Sequence, residues 1–173
     1  SLTANQFDWS SSTLTINIGA DPNGETFEIG QRDKCIELPG RDYITIDNVV
    51  CMYASGNGIA ISGTNSNIEI VNSTFSYNGG DGVHVNGTTT DTNVTNCTAN
   101  YNGYVFNDTA SGPGDGISYH AGCTGVVENN TTYYNYKAGI DNIGAGMAVD
   151  ILRNTVGYSP RNIWIGSLVD QSQ

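Results

Sequence analysis

Positive charge is the scarcest property of this sequence. Only 6 of its 173 residues are lysine or arginine, against 17 aspartate or glutamate, which gives a net charge of -11. A chain this acidic lacks the basic footprint that nucleic-acid phosphates require, so we expect no nucleic-acid partner. No stretch approaches the ~20 apolar residues of a membrane-spanning helix, so we also expect no membrane span. Metal cations remain compatible with such a chain, because a ladder of acids attracts them.

Cysteine is sparse too, and its pattern argues against a structural zinc site. The sequence has four cysteines, with no C-x-x-C spacing and no histidine at zinc-finger distance: Cys35, Cys51, Cys97 and Cys123. For Cys35 and Cys97 we expect buried free thiols. The low lysine content and the abundance of asparagine and threonine favour an extracellular or cell-surface protein.

What the sequence does contain is a repeat carried by three columns of residues. Asparagine recurs with steps of 24, 24, 34 and 24 at Asn48, Asn72, Asn96, Asn130 and Asn154. An aliphatic column keeps nearly the same steps at Ile36, Ile59, Val83, Ile117, Ile140 and Ile163. An aromatic column follows at Tyr53, Tyr77, Tyr101, Tyr134 and Tyr158. One shared period in three columns means one structural unit repeated, which predicts a solenoid.

Each repeat contains short segments with alternating apolar and polar residues, which predict strands with one buried face. Three strands per repeat and no helical spacing predict an all-β fold, a right-handed parallel β-helix of about six coils. We expect one domain over residues 1–173, with repeats over 31–168 and an insertion loop over 104–114. Residues 1–30 read as an entry segment, in which Leu14–Ile18 and Thr26–Ile29 form a hairpin.

The end of the last repeat has no clear cap after Ile165. An uncapped coil exposes a strand edge. We therefore expect further segments of a longer protein, or a partner, to cover it.

The repeated Asp-Gly-Val/Ile, the asparagine ladder and the lead-in TLTINIGADPNGETFEIGQRDKCIELPGRDYITIDNV resemble the right-handed β-helix repeat proteins of the pectate-lyase-like superfamily. The resemblance covers roughly residues 13–165. It implies the fold and an action on polysaccharides, by proteins that include lyases, epimerases and hydrolases. It does not imply which reaction, because one fold hosts many functions.

The strand that follows the repeated glycine directs one set of side chains outward, and both histidines of the chain fall in this set. The same face is predicted to carry several charged residues and a tryptophan: Asp81, Asp115, Lys137, Asp141, Arg161 and Trp164. Insertions on a solenoid collect on the binding face, so the loop at 104–114 belongs to the same expectation.

Two aspartates of this face, Asp81 and Asp115, occupy equivalent positions one coil apart, so we expect their Cα atoms to lie ~5 Å apart. Carboxylates at that distance share a proton or bind a cation such as Ca²⁺. A metal site at these two residues is the resulting prediction, with ordinary Asp-Gly turn chemistry as the alternative.

A base held by an acid can abstract a proton α to a carboxylate, which is the first step of β-elimination in a uronic-acid polymer. His120, Lys137, Asp141 and Arg161 are the predicted catalytic residues, as bases, their holding acid or a carboxylate clamp. The predicted substrate-binding residues are His84, Asn86 and Trp164.

Three functions stay open from the residues alone. The first is a polysaccharide lyase acting on an acidic polysaccharide, and the second is a binding or structural β-helix module such as part of an adhesin. The third is a glycoside hydrolase using Asp115 and Asp141, whose Cα atoms we expect ~11 Å apart. A nucleophile triad of His84, Ser118 and Asp141 is rejected, because the column order places the serine between the histidine and the acid.

Overall fold

The computed structural model describes residues 6–10, 13–17, 32–104, 113–120 and 122–166. Within these ranges the chain is all β-strand and connecting turns, without a helix. The strands are β1 Gln6–Ser10, β2 Thr13–Asn17, β3 Ile36–Pro39, β4 Asp42–Asp47, β5 Val50–Met52, β6 Ile59–Ser62, β7 Thr64–Val71, β8 Thr74–Ser76, β9 Val83–Val85, β10 Thr88–Thr95, β11 Ile117–Tyr119, β12 Thr124–Glu128, β13 Thr131–Tyr133, β14 Ala138–Ile143, β15 Ala148–Leu152, β16 Thr155–Gly157 and β17 Arg161–Gly166.

The strands that follow the repeated glycine stack into one parallel sheet, here called the first sheet. Its order is β3, β6, β9, β11, β14 and β17. Each of the six stacked strands belongs to a successive coil, and the chain makes about five turns of a β-solenoid between the first and the last. This is close to the predicted six coils. The pairs run in the register that the aliphatic column predicts, for example Val83 with Ile117 and Ile117 with Ile140.

Two further faces complete each coil. The second sheet is parallel and has the order β4, β7, β10, β12 and β15. The third face consists of the parallel pairs β5–β8 and β13–β16, and Thr98 bridges the gap between them through Thr74 and Thr131. Three short strands per coil, joined by tight turns, are the arrangement predicted from the repeat.

The core is the stack of apolar side chains inside the coils. Ile59, Val83, Ile117 and Ile140 are fully buried, as predicted. Ile163 keeps the register with Ile140 but is 46% exposed, because β17 is the last described strand of its sheet. Ile165 is 71% exposed for the same reason. That a further segment or a partner covers this edge stays a prediction.

The turn after the second sheet corrects the asparagine column. Asn48, Asn72 and Asn96 have left-handed backbones with φ between 51° and 55°, a conformation that asparagine tolerates. The next members are Asn129 and Arg153, not Asn130 and Asn154. The predicted column is therefore one residue too late after the insertion. Asn129 and Asn130 are adjacent, and only Asn130 has another asparagine, Asn154, 24 residues further on.

A different asparagine stack lies inside the solenoid and is absent from the sequence prediction. Asn78, Asn102 and Asn135 are buried, and Nδ2 of Asn78 and of Asn102 each donates to Oδ1 of the next asparagine, at 3.1 and 3.0 Å. Each Nδ2 also donates to a backbone carbonyl, that of Cys51, Phe75 or Ala99. These bonds satisfy turn groups that would otherwise be buried without partners.

The tyrosine column forms a continuous stack on the surface. Successive ring centroids lie 5.9, 4.9, 5.0 and 4.7 Å apart from Tyr53 to Tyr158. The rings are 40–73% exposed, yet their faces cover one another. Because neighbouring rings cover these faces, the column serves packing between coils and does not present a row of open faces to a sugar.

An antiparallel hairpin is present near the amino terminus. β2, which matches the predicted strand Leu14–Ile18, pairs antiparallel with the preceding β1. The predicted partner strand at 26–29 lies outside the described residues, as does most of the insertion loop, residues 105–112. Among the described residues no helix is long and apolar enough to cross a membrane.

Candidate functional site

The outer face of the first sheet places the predicted site residues in one column. His84 pairs with Ser118, Ser118 with Asp141, and Asp141 with Trp164 on successive coils. The stacking deduced from the glycine register is therefore correct. Parallel pairing places equivalent side chains ~4.8 Å apart, so groups from four coils converge on one patch.

Asp81 is the centre of a buried hydrogen-bond cluster. Its Oδ2 lies 2.7 Å from His84 Nδ1 and accepts the Ser118 hydroxyl at 2.8 Å. Its Oδ1 accepts the backbone N–H groups of Gly114 and Asp115 at 2.7 and 2.8 Å. Burial acts to raise the pKa of Asp81, but the hydrogen bond and charge of His84 and the two N–H donors outweigh it and lower that pKa.

The cluster contains serine, histidine and aspartate, but its geometry is not that of a nucleophile. A nucleophile triad needs the serine on one imidazole nitrogen and the acid on the other. Here Ser118 Oγ lies 3.0 Å from Nδ1, the same nitrogen that meets Asp81, and Ser118 is fully buried. The carboxylate can only accept a hydrogen bond, so it holds a proton on Nδ1 of His84 and orients the ring.

His120 lies beside His84, with ring centroids 4.8 Å apart and an edge-to-face contact. It is half-buried, and Asn86 occupies the equivalent position one coil earlier with its side chain exposed. Burial, then the charge of His84, lower the pKa of His120 from its ordinary value of 6.5. His120 is therefore predominantly neutral at pH 7.

Asp115 and Asp141 form a contacting acid pair beneath the surface, with side chains 2% and 0% exposed. Burial, then the charges of Asp81 and Asp141, raise the pKa of Asp115 to about 8. Burial also raises the pKa of Asp141, against the charge of Lys137. Asp115 is therefore mostly protonated at pH 7, while both carboxyl oxygens of Asp141 are buried without a hydrogen-bond partner.

Lys137 covers this acid pair. Its Nζ lies 3.7 Å from Oδ2 of Asp115 and 3.7 Å from Oδ2 of Asp141. The lysine side chain is 17% exposed, so its ammonium group lies between the buried acids and solvent. Lys137 therefore lies against Asp141, whereas the ring that lies against His120 is that of His84.

Trp164, at the end of the column, contacts two cationic side chains. The Arg161 guanidinium lies 3.7 Å from the indole centroid and Lys137 Nζ lies 5.5 Å from it. Both distances are within the range of cation–π attraction. The indole therefore positions two cations, and a sugar that stacked on the face beneath Arg161 would have to displace the guanidinium.

The two aspartates of the predicted metal site, Asp81 and Asp115, also accept backbone hydrogen bonds from the next coil. Asn57 Oδ1 accepts the N–H of Asp81, Asp81 Oδ1 that of Asp115, and Asp115 Oδ1 that of Ala138. Each side chain at this position thus caps the following coil. Asp81 and Asp115 are adjacent, as predicted. In each residue Oδ1 is used in a hydrogen bond to a backbone N–H of the next turn, as the alternative of turn chemistry predicts.

Calcium fits these residues poorly. Ca²⁺ needs six to eight oxygen ligands with free lone pairs. Both oxygens of Asp81 already accept N–H or O–H donors, and no group of three potential ligands in the described part of the chain could hold a metal ion. The calcium site stays a prediction, and no chemistry below depends on it.

Comparison with protein families gives one match, the right handed beta helix region, over residues 10–156. The chain belongs to this family. The match spans most of the 173 residues and agrees with the stacked parallel sheets. Neither the curated proteins nor the solved structures contain a match to this β-helix protein.

Proposed function

We propose that this β-helix protein works outside the cell, binds an acidic polysaccharide along the first sheet and cleaves it by β-elimination. One observation carries the proposal. The solvent-reachable groups of the site are bases and cations, namely His84, His120, Lys137 and Arg161, whereas its acids lie buried beneath them. This set of four is called the basic face below.

The basic face is compatible with the acidity of the chain. A net charge of -11 repels a polyuronate in general. At this site, however, Asp115 carries a proton, and the charges of Asp81 and Asp141 are screened from solvent by His84 and Lys137. The local potential that a bound carboxylate meets is therefore set by Lys137 and Arg161.

The chemistry of β-elimination matches these groups. A base removes the proton α to the uronate carboxylate, the C–H electron pair becomes a carbon–carbon double bond, and the glycosidic C–O bond breaks with its electrons on oxygen. That oxygen then takes a proton from water. His120 is neutral near pH 7 and supplies a base, while Arg161 and Lys137 neutralise the carboxylate and so stabilise the carbanion.

Lys137 is the second candidate base. To act as a base, Lys137 must first give up a proton from its ammonium group, and the Asp141 carboxylate, whose Oδ2 lies 3.7 Å from Nζ, is placed to accept it. In this role Asp141 acts through Lys137 and does not touch the substrate.

Hydrolysis by Asp115 and Asp141 receives less support. Inverting hydrolases hold their carboxyl groups ~6.5–9.5 Å apart, and retaining enzymes ~5–5.5 Å apart. These two carboxyl groups contact each other and are almost fully buried, which leaves no room for water or a sugar between them. A binding module without chemistry would use the same basic face, and turnover distinguishes the two.

The test is a variant series on polyuronate cleavage. We expect His120→Ala or Lys137→Ala to lower kcat by ~10²–10⁴, as removal of a general base does. Trp164→Ala should raise KM more than it lowers kcat, because it releases Arg161 without removing a base. Lys34→Ala is the matched control: this lysine of the first coil pairs with Asp33 and Glu37, and its loss should change neither constant. Full activity in both His120→Ala and Lys137→Ala would overturn the assignment.

A further inference from the structure

Cys35 occupies a position that is glycine in the coils that follow. The register of the first sheet aligns it with Gly58, Gly82, Gly116 and Gly139. At Gly58, Gly82 and Gly116 an added side chain would meet both the carbonyl oxygen of the glycine in the next coil and the buried asparagine stack. A Cβ at Gly58 would lie 2.8 Å from Asn78 Nδ2, and one at Gly82 would lie 2.8 Å from Asn102 Nδ2.

The first coil makes room for the thiol by a second change. Ala54 stands where the next coil has Asn78, since its N–H binds Asn78 Oδ1 just as the N–H of Asn78 binds Asn102 Oδ1. With alanine at position 54, no amide side chain faces Cys35 in the way that Asn78 faces Gly58. The pair Cys35 and Ala54 is thus a matched exchange, which an isolated chance cysteine would not show.

The column that faces this position contains the second cysteine. Cys51 on β5 is equivalent to Phe75 on β8 and, through the bridges at Thr98, to Val156 on β16. In the later coil a Cβ at Gly139 would come within 2.2 Å of Val156 Cγ1. The two columns therefore point at each other across the interior of one coil.

In the first coil both facing residues are cysteine. Cys35 Sγ lies 3.8 Å from the carbonyl oxygen of Met52, the residue next to Cys51, and both cysteines pack against the hydrophobic core. We infer that Cys35 and Cys51 form a disulfide that closes the first coil when the protein matures in an oxidising compartment. The bond would staple the end of the solenoid near β3.

The chemistry requires a disulfide oxidant such as oxidised glutathione. The thiolate of Cys35, the more exposed of the two, attacks one sulfur of the oxidant and releases one glutathione thiol. The thiolate of Cys51 then attacks Cys35 Sγ in the mixed disulfide and releases the second. Two protein protons pass to the two glutathione thiolates, and the protein loses two hydrogen atoms.

The other two cysteines have different surroundings. Cys97 Sγ lies 3.3 Å from the carbonyl oxygen of Thr95, and Cys123 Sγ lies 3.6 Å from that of Gly87. Both are buried, and neither has a cysteine at the equivalent of the Cys35–Cys51 contact. We expect both to remain thiols.

The test is oxidative refolding of the full chain in a glutathione buffer, followed by mass measurement and thiol titration under denaturing conditions. We expect a loss of about 2 Da, two remaining thiols per chain, and a non-reduced digest that links the peptides of Cys35 and Cys51. The Cys97→Ala, Cys123→Ala double variant should lose the same mass and retain no thiol. Oxidation should raise the melting temperature by about 5–10 °C, a gain absent from Cys35→Ser.

Four remaining thiols in the oxidised wild type, or a disulfide that involves Cys97 or Cys123, would overturn the inference. The double variant separates the two cases. If the wild type oxidises but the double variant keeps two thiols, the bond uses other cysteines. Because the measurement needs no substrate, its outcome is independent of the proposed lyase function.

Discussion

Asp81 Oδ2 lies 2.7 Å from His84 Nδ1, and the same oxygen accepts the Ser118 hydroxyl. This contact makes Asp81 a positioning residue, because its carboxylate holds a proton on Nδ1 of His84 and so orients the ring. The histidine is 20% exposed, while the carboxylate beneath it is 2% exposed.

Asp81→Asn should reverse the tautomer of His84, because the new amide N–H would face Nδ1. The fold should tolerate the change, since Asn57 caps the equivalent position one coil earlier through its own Oδ1. We expect nitrogen NMR to show the neutral imidazole proton on Nε2 in the variant, with polyuronate affinity lowered about tenfold or more. An unchanged tautomer with unchanged affinity would contradict the positioning role, and Asp33→Asn is the exposed control.

The pH dependence of stability should report the acid pair. With a folded pKa of about 8 against an ordinary 3.8, Asp115 holds in the folded state a proton that the unfolded chain releases, so stability falls as pH rises between those values. His120, whose pKa is lowered, acts in the opposite direction only below pH 6.5. From pH 6.5 to 8 we expect a loss of at most about 2 kcal/mol.

Asp115→Asn should flatten that slope, because asparagine resembles the protonated acid. Its Oδ1 can accept the Ala138 N–H and its Nδ2 can donate to Asp141. At pH 8 the variant should melt above the wild type. Equal pH slopes in the two proteins from pH 6.5 to 8 would show that Asp115 does not carry the proton.

Calcium should leave the melting temperature unchanged, because both oxygens of Asp81 are occupied by donors. A bound cation stabilises by RT ln(1 + [L]/Kd), so thermal melts at rising calcium concentration are a direct measurement. If calcium stabilises the wild type and the Asp81→Asn, Asp115→Asn double variant loses the effect, the predicted metal site is real.

Asn102→Ala should destabilise the solenoid by about 2–4 kcal/mol, because it leaves the Asn78 N–H and the Phe75 carbonyl buried without partners. Denaturant unfolding measures the loss. Asn162→Ala, an exposed position on β17, is the control and should stay within about 0.5 kcal/mol. If the two changes lower the free energy of unfolding equally, the buried asparagine stack does not stabilise the solenoid.

The repeat made the fold and the columns predictable, because a fixed period brings residues 23 or 24 apart into contact. It identified His84, Ser118 and Asp141 as neighbours before any coordinates. The insertion was harder, since a change in period has no internal reference, and the asparagine column slipped from Asn129 to Asn130. The buried stack was visible as steps of 24 and 33 from Asn78, but the stronger aliphatic and tyrosine columns hid it.

The sequence did not show which of the outward-facing side chains are covered by others. Strand alternation places Ser118 and Asp141 on the outer face, and both were expected to face solvent. They are fully buried, because long side chains such as Lys137 fold over them. No periodicity encodes that covering layer, so the separation into exposed bases and buried acids required the structure.

The central claim is β-elimination at the basic face. The most direct measurement compares the two products of each cleavage, the new reducing end and the new unsaturated end. The intact protein is incubated with a panel of polyuronates, and new reducing ends and the absorbance of the unsaturated product are followed together. A lyase produces both in equal amounts, and that equality is the predicted result. Reducing ends without unsaturated product would indicate hydrolysis, and neither signal on any polyuronate would contradict the account and leave a binding module.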